Sequence, residues 1–559
     1  YEISANYGQT KESTDILGNI VPQRLLLALD AGIDPADGRI KCRSQFDPSA
    51  AFSYDSDDDL ASEIAACVPY NPFGAADNTA AGAYILENTT SQAKLEQFNV
   101  LAFLSGDTSG FFELPGGPIG FAVGAEYRRE KLFYQADPLV EAGRTFYNAL
   151  PTFEPEAFEV KEVFGEIRMP LLSDRPFFEE LTLSAAGRIS DYNSAVGTTY
   201  AYNAGIEWQP IRDIRFRAQY GRAVRAPNLS ETSGDLSQNF APGFQDPCRA
   251  ANIGSGSQNR AANCLADLGQ TLLDSIATLP NYSLEFLSGA NPNLGEEKSN
   301  SYTIGAVFQP SFVPGLALTV DYFDITVDDV IASPTAQQVV NSCYDLPDLN
   351  NQFCALFERF RGTGLGPNQE VPGQVLDGVA EITPVNFAKR TVRGIDADLS
   401  YRYPFGADNA VSTRFIYTHL FERSNFEDPT NPDFENRILS ELGDPQDEFR
   451  WNLDLKLSKF TIGYEMRYIG KMVLNNYEDF FSVGGRNPEN EDYADTRFYP
   501  EVFYHDVRIG YELDKFDFYA GVDNIMNTNP PLGLTGIGGG SGIYRVRGRN
   551  FYAGFRAEF

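Results

Sequence analysis

From Trp451 onward the chain alternates with period two. Trp451, Leu453, Leu455 and Leu457 fall on one face of an extended segment, and Asn452, Asp454, Lys456 and Ser458 fall on the other. A minimal turn follows. Phe460, Ile462, Tyr464, Met466 and Tyr468 then alternate with Thr461, Gly463, Glu465 and Arg467. Alternation over about ten residues, repeated after a tight turn, predicts a β-hairpin with one apolar and one polar face. The pattern returns in Ile395, Ala397, Leu399, Tyr401 and Tyr403, set against Asp396, Asp398, Ser400 and Arg402. It returns again in Val507, Ile509, Tyr511 and Leu513, and in Phe551, Ala553, Phe555, Ala557 and Phe559.

The connections decide between a soluble sandwich and a membrane barrel. A sandwich turns every 8–12 residues at both ends. Here short links, near 209–213, 309–315, 404–409, 458–459 and 513–515, alternate with long ones, roughly 9–94, 226–296, 331–386, 425–447, 472–499 and 527–541. Short periplasmic turns and long extracellular loops are the habit of outer-membrane barrels. The count comes to about sixteen strands, each near the length that crosses a bilayer at a tilt. The predicted class is therefore all-β, a transmembrane antiparallel barrel whose last strand runs inward and ends at Phe559.

Composition agrees. Aromatics are 13% of the 559 residues, with 42 Phe, 29 Tyr and 2 Trp, and Tyr and Phe gather at strand ends as interfacial girdles do. No apolar run reaches the roughly 18 residues of a transmembrane helix, and a mean hydropathy of −0.30 is what alternating strands give. A formal charge of −33 argues against a nucleic-acid partner, which needs a basic surface. The six cysteines occur as Cys42 with Cys67, Cys248 with Cys264, and Cys343 with Cys354, all in polar loops on the long-loop side. No pair has metal-site spacing. Partners 25, 16 and 11 residues apart close their loops at the least entropic cost, so three local disulfides are expected, against fifteen possible pairings.

Four segments then carry a resemblance. GRAVRAPNLSE (221–231), NPNLGEEKSNSYTIG (291–305), DNIMNTNPP (523–531) and NFYAGFRAEF (550–559) resemble, in order and spacing, hallmarks of TonB-dependent outer-membrane receptors. The cysteine loops, among them DPCRAANIGSGSQNRAANC (246–264), are similar to those of an alphaproteobacterial subgroup. The resemblance implies a barrel of about 22 strands around an N-terminal plug, so the chain is expected to be the C-terminal part of such a receptor. It implies TonB-ExbB-ExbD as partner through the plug, lipid and lipopolysaccharide around the wall, and Phe559 as the signal read by the barrel-assembly machinery.

Other constellations are weaker. The run Tyr54 to Asp59 offers Asp55, Asp57 and Asp59 for a loop-bound calcium, but lacks the glycine and glutamate of an EF-hand loop. The glycines of 536–542 precede no GK[ST] and suit a mobile or ligand-lining extracellular loop. His419 and His505 have no nucleophile elbow nearby, so no catalytic residue is assigned. Asp396, Asp398, Arg402, Asp454, Lys456, Glu465, Arg467, Arg508, Glu512, Arg556 and Glu558 belong in the lumen, because Arg or Lys facing lipid costs about 2–4 kcal/mol at the midplane. Tyr282, Phe286, Phe353, Phe357, Tyr477, Phe480 and Phe481 are loop aromatics that either stack on a ligand or pack the loops together. The expected function is TonB-driven uptake of a scarce, bulky nutrient such as a ferric siderophore or glycan. A passive sixteen-stranded porin is the alternative.

Overall fold

The computed structural model describes residues 1–53, 59–146, 149–234, 236–531 and 542–558. Within it the alternating segments become one hydrogen-bonded ladder. In chain order the strands are β1 (Glu2–Ile20), β2 (Leu86–Asp107), β3 (Gly120–Gln135), β4 (Phe158–Arg175), β5 (Phe178–Tyr192), β6 (Thr198–Ile211), β7 (Ile214–Arg225) and β8 (Glu297–Phe308). They continue as β9 (Leu316–Ala332), β10 (Val385–Pro404), β11 (Asn409–Phe426), β12 (Asp447–Leu457), β13 (Phe460–Ile469), β14 (Val502–Leu513), β15 (Phe516–Asp523) and β16 (Asn550–Ala557). Each pairs antiparallel with the next. Asn436–Arg437 joins β11 as a seventeenth, two-residue strand. Among the described residues no pairing joins β1 to β16, and no helix is long and apolar enough to cross a membrane.

Register sorts the side chains as the sequence predicts. Leu455 lies opposite Ile462, and Ile462 opposite Ile509, so one face is continuously apolar. Ile462, Ile509 and Phe555 are 42%, 52% and 68% exposed, which in water would be an aggregation surface and in lipid is a solvated one. The other face carries cross-strand ion pairs: Arg188–Glu162 at 3.0 Å, Arg217–Asp321 at 2.5 Å, Arg414–Asp398 at 2.6 Å, Lys456–Glu512 at 3.0 Å and Arg467–Glu448 at 2.9 Å. Apart from Arg188–Glu162, whose carboxylate is buried, these pairs are solvated and add little stability one by one. They do fix which face lines the wet lumen.

Aromatic rings mark both rims of the apolar band. Toward the short turns, Trp208 lies against Phe216 with centroids 5.7 Å apart, and Phe460 against Tyr511 at 4.6 Å. Toward the loops, Phe449, Tyr468 and Phe503 form a run at 4.9 Å spacing. The two-residue turns after Leu457 and Leu513 place Ser458 and Asp514 at φ 55° and 50°, the positive φ that a primed hairpin turn requires at its first position.

Three details differ from the sequence reading. The first long loop is 21–85, because β1 and β2 run 19 and 22 residues, well past the 9–11 needed to cross a bilayer. The link between β5 and β6 is only 193–197 although it lies on the long-loop side, so the alternation of lengths is not strict. A further loop, 136–157, follows β3.

The register gives a direct expectation. Leu455→Arg should reduce the amount of folded, heat-modifiable barrel far more than Asp454→Arg, by the roughly 2–4 kcal/mol that a cation costs in lipid. Equal tolerance of the two would contradict the register.

Candidate functional site: the extracellular loops

A loop above the membrane cannot use the barrel's lipid-facing surface as a core, so each long loop has to bury apolar surface of its own. Loop 21–85 does this with Leu27, Ala28, Tyr84 and Ile85 around the Cys42–Cys67 disulfide. Arg24 ties it down through Glu63 at 3.2 Å and Glu87 at 2.7 Å, and Arg144 of loop 136–157 reaches Glu63 at 3.6 Å.

Loops 226–296 and 333–384 share a single core. Strand Ser237–Phe244 pairs antiparallel with Tyr282–Ser288, which pairs in parallel with Ala380–Ile382 from the other loop. Against this sheet pack the helical segment Arg260–Ile276, kinked at Gly269 where φ is 66°, and helix Ala336–Asp345, the latter started by a Thr335/Gln338 capping box. The Cys248–Cys264 and Cys343–Cys354 disulfides lie inside, and together with Cys42–Cys67 they are the three local pairs expected.

Charge is buried here too. Arg359 donates two hydrogen bonds to Asp246, at 2.7 and 3.0 Å, with the side chains 1% and 0% exposed. Arg359 also donates to the Tyr344 hydroxyl at 2.6 Å and lies over the Tyr344 ring, and Tyr344 donates to Asp267 at 2.7 Å. Burial pushes the Tyr344 and Tyr282 phenols up. Arg260 pairs with Asp345, its Nε at 2.8 Å from Oδ1, with both side chains under a tenth exposed. Removing one partner of such a pair leaves an uncompensated charge and costs about 3–5 kcal/mol.

Loops 427–446 and 470–501 meet around Val473, Leu474, Phe480 and Tyr499. Arg437 stacks on Tyr477 at 4.6 Å, and Arg497 lies over Phe480 and Phe481. Burial holds the Glu441 carboxyl above its usual range, although it accepts a hydrogen bond from the Tyr477 amide at 2.8 Å. Burial raises Asp444 likewise. A cavity of about 520 Å³ under the last loop is lined by Arg467, Asp506, Tyr544, Arg545 and Arg547. Arg545 is held by Asp506 at 2.7 Å.

Residues 11–525 match the family described as TonB dependent receptor-like, beta-barrel. The chain belongs to the TonB-dependent receptors. Barrels of this family are Gram-negative outer-membrane proteins, and the family is one of receptors and transporters, not of enzymes. No curated protein sequence matches the chain. Among solved structures, the siderophore receptor PirA from Acinetobacter baumannii superposes with a TM-score of 0.53 at 14% identity, over 85% of this chain and 56% of that one. A ferric enterobactin receptor (PfeA) variant from Pseudomonas aeruginosa, in complex with enterobactin, gives 0.53 at 15% identity, over 100% of this chain and 60% of that one. At these identities the likeness speaks for the fold, and this receptor chain spans less than two thirds of either structure's length.

The receptor motifs have structural work to do. Arg225 joins Glu231 at 2.9 Å and Glu297 at 2.7 Å, so it links the first two motifs across 72 residues of sequence. Asn228 and Glu231 form a capping box, and the Asn291 amide N–H returns to the Glu231 carbonyl at 2.8 Å. In the third motif Asn524 and Asn527 take φ 51° and 55°, a left-handed conformation that asparagine tolerates, and the Asn524 side chain closes on the Thr528 backbone at 2.8 Å in both directions.

The residues singled out from sequence divide clearly. Tyr282, Phe286, Phe353 and Phe357 pack in the shared core of the two disulfide loops, Phe353 only 1% exposed. Phe480 is buried, with Tyr477 and Phe481 packed against it. Tyr282, Tyr477 and Phe481 remain only partly buried. Asp55, Asp57 and Phe559 lie outside the described residues, as does most of the glycine tract; Asp59 sits 3.4 Å from Arg144. Among the described residues no group of three acidic, His or Cys side chains could hold a metal ion. His505 hydrogen-bonds Tyr464 at 2.7 Å and its neighbour Asp506 points to the opposite face, toward Arg545. Sequence reasoning missed Asp246, Arg260, Asp345 and Arg359. Their one local signal is that each stands within five residues of a disulfide cysteine.

Glu441 supplies a pH expectation. A carboxyl raised in the folded state contributes stability below its unfolded value near 4.3, and that contribution is lost as pH rises through the folded value. Glu441→Gln keeps the acceptor and removes the charge. The protection factor of the Tyr477 amide, referenced to unstructured peptide at each pH, should rise in the variant at neutral pH, by less than ~1 kcal/mol in opening free energy because the group is half-exposed. The difference should vanish in acid; one that persists there would contradict the assignment.

Proposed function

We propose that this chain forms the outer-membrane wall of a TonB-energised receptor that imports a scarce, bulky nutrient, with a ferric siderophore as the foremost candidate and a glycan as the second. The observation that carries this reading is the combination of a barrel with a charged lumen and long loops folded into disulfide-bonded bodies with buried cores above it. A diffusion pore needs an open mouth, whereas folded loop bodies suit ligand capture. Ligand is captured by the loops, the wall does no covalent chemistry, and energy arrives when the TonB complex acts on a plug in the lumen. Further strands complete the sheet, and the plug fills its lumen. Support comes from the outer edges of β1 and β16, which have no partner strand among the described residues and which lipid would not tolerate. The solved siderophore and enterobactin receptors point to the same substrate class.

Ferric-siderophore accumulation by cells carrying the full receptor should collapse when TonB is deleted or the proton-motive force is dissipated. Uptake that survives both, with rate linear in concentration, would favour the porin. Phe559 is proposed as the assembly signal because it continues the alternation of Phe551, Ala553, Phe555 and Ala557. Its deletion should lower the yield of assembled barrel, and an unchanged yield would refute that role.

A further inference from the structure

Loops 226–296 and 333–384 rise from four neighbouring strands, β7 to β10. Each contributes one aspartate and one arginine, and each of these four residues finds its partner in the other loop. Asp246 of the first loop takes Arg359 of the second, and Arg260 of the first takes Asp345 of the second. The disulfides complete the pattern. Cys248–Cys264 ties the Asp246 segment to the Arg260 helix, and Cys343–Cys354 ties the Asp345 helix to the Arg359 segment. The result is a closed ring in which two covalent links, one within each loop, alternate with two buried ion pairs between the loops.

We propose that this ring is an all-or-none latch, so that the two loops order, open and close over β7 to β10 as one body. Three features of the ring make it cooperative. The pairs are reciprocal, so withdrawing either loop strands a buried Asp and a buried Arg on both sides at once, a far larger penalty than losing an exposed pair. The disulfide in each loop holds that loop's Asp and Arg at a set separation, so one pair cannot form well without presetting the other. The sheet that organises the core is itself mixed, because its third strand, Ala380–Ile382, belongs to the second loop. Polar contacts across the same seam reinforce it: Ser257 N–H donates to Asp345 at 2.9 Å, Asn263 to the carbonyls of Tyr344 and Leu346 at 3.0 and 2.8 Å, and Gln337 to the Gln245 carbonyl at 2.8 Å. A ligand touching one loop then acts on both.

Hydrogen–deuterium exchange on the full receptor in detergent micelles tests the latch. With Asp246→Asn, amides in 237–288 and in 336–382 should exchange at least tenfold faster together, while those in 22–85 keep their wild-type rates. An increase confined to 237–288, or none in either loop, would overturn the proposal. A second variant, Cys343→Ser with Cys354→Ser, leaves every charge in place and breaks the ring from the other side. The same joint acceleration is expected, and acceleration restricted to 336–382 would again refute the coupling. Heat-modifiable migration of both variants confirms that the barrel itself is folded in each sample.

Discussion

Every backbone N–H and C=O inside a bilayer has to find its partner within the protein, because lipid offers none. That constraint sets nearly everything else here. It demands a continuous ladder, which the sequential antiparallel pairing of the sixteen strands provides. It forces side chains to alternate between lipid and lumen, and so confines the ion pairs Lys456–Glu512 and Arg414–Asp398 to one face and Ile462 and Ile509 to the other. It also keeps irregular backbone out of the membrane, so folded substructure can grow only at the strand ends.

The loops obey a different constraint. Surrounded by water and standing on strands whose outer faces are committed to lipid, they need cores of their own, yet each is too small to bury much surface alone. Two devices compensate. Disulfides within loops limit the disordered state, and loops pair with one another: 226–296 with 333–384 through a shared sheet and buried arginines, and 427–446 with 470–501 around Phe480. The receptor motifs sit where strands hand over to loops. Arg225 and its two glutamates brace that junction, which explains in physical terms why these residue types stand at those positions.

Much of the wall was legible because period two is a property of single strands. Trp451 to Tyr468 reveals a hairpin, its faces and its turn without reference to any other part of the chain. The disulfides were legible because closure entropy favours near partners. The loop interior was not. Asp246 and Arg359 are 113 residues apart, and nothing local distinguishes a buried bidentate pair from two solvated charges. Aromatics such as Phe353 and Phe480 were ambiguous for the same reason, since a ring that packs a loop and a ring that binds a ligand look identical in sequence. The short 193–197 link escaped because loop length on the outer side follows no physical rule that the strands impose.

The wall stands or falls on the alternation of environments across it. Spin labels placed singly at each position from 452 to 457 and from 461 to 468 measure it most directly through collision with oxygen and with a water-soluble nickel complex. A strict period of two is expected: oxygen accessibility peaks at 453, 455 and 457 and at 462, 464, 466 and 468, with nickel accessibility peaking at the positions between. In-phase profiles, or a period near 3.6, would contradict it.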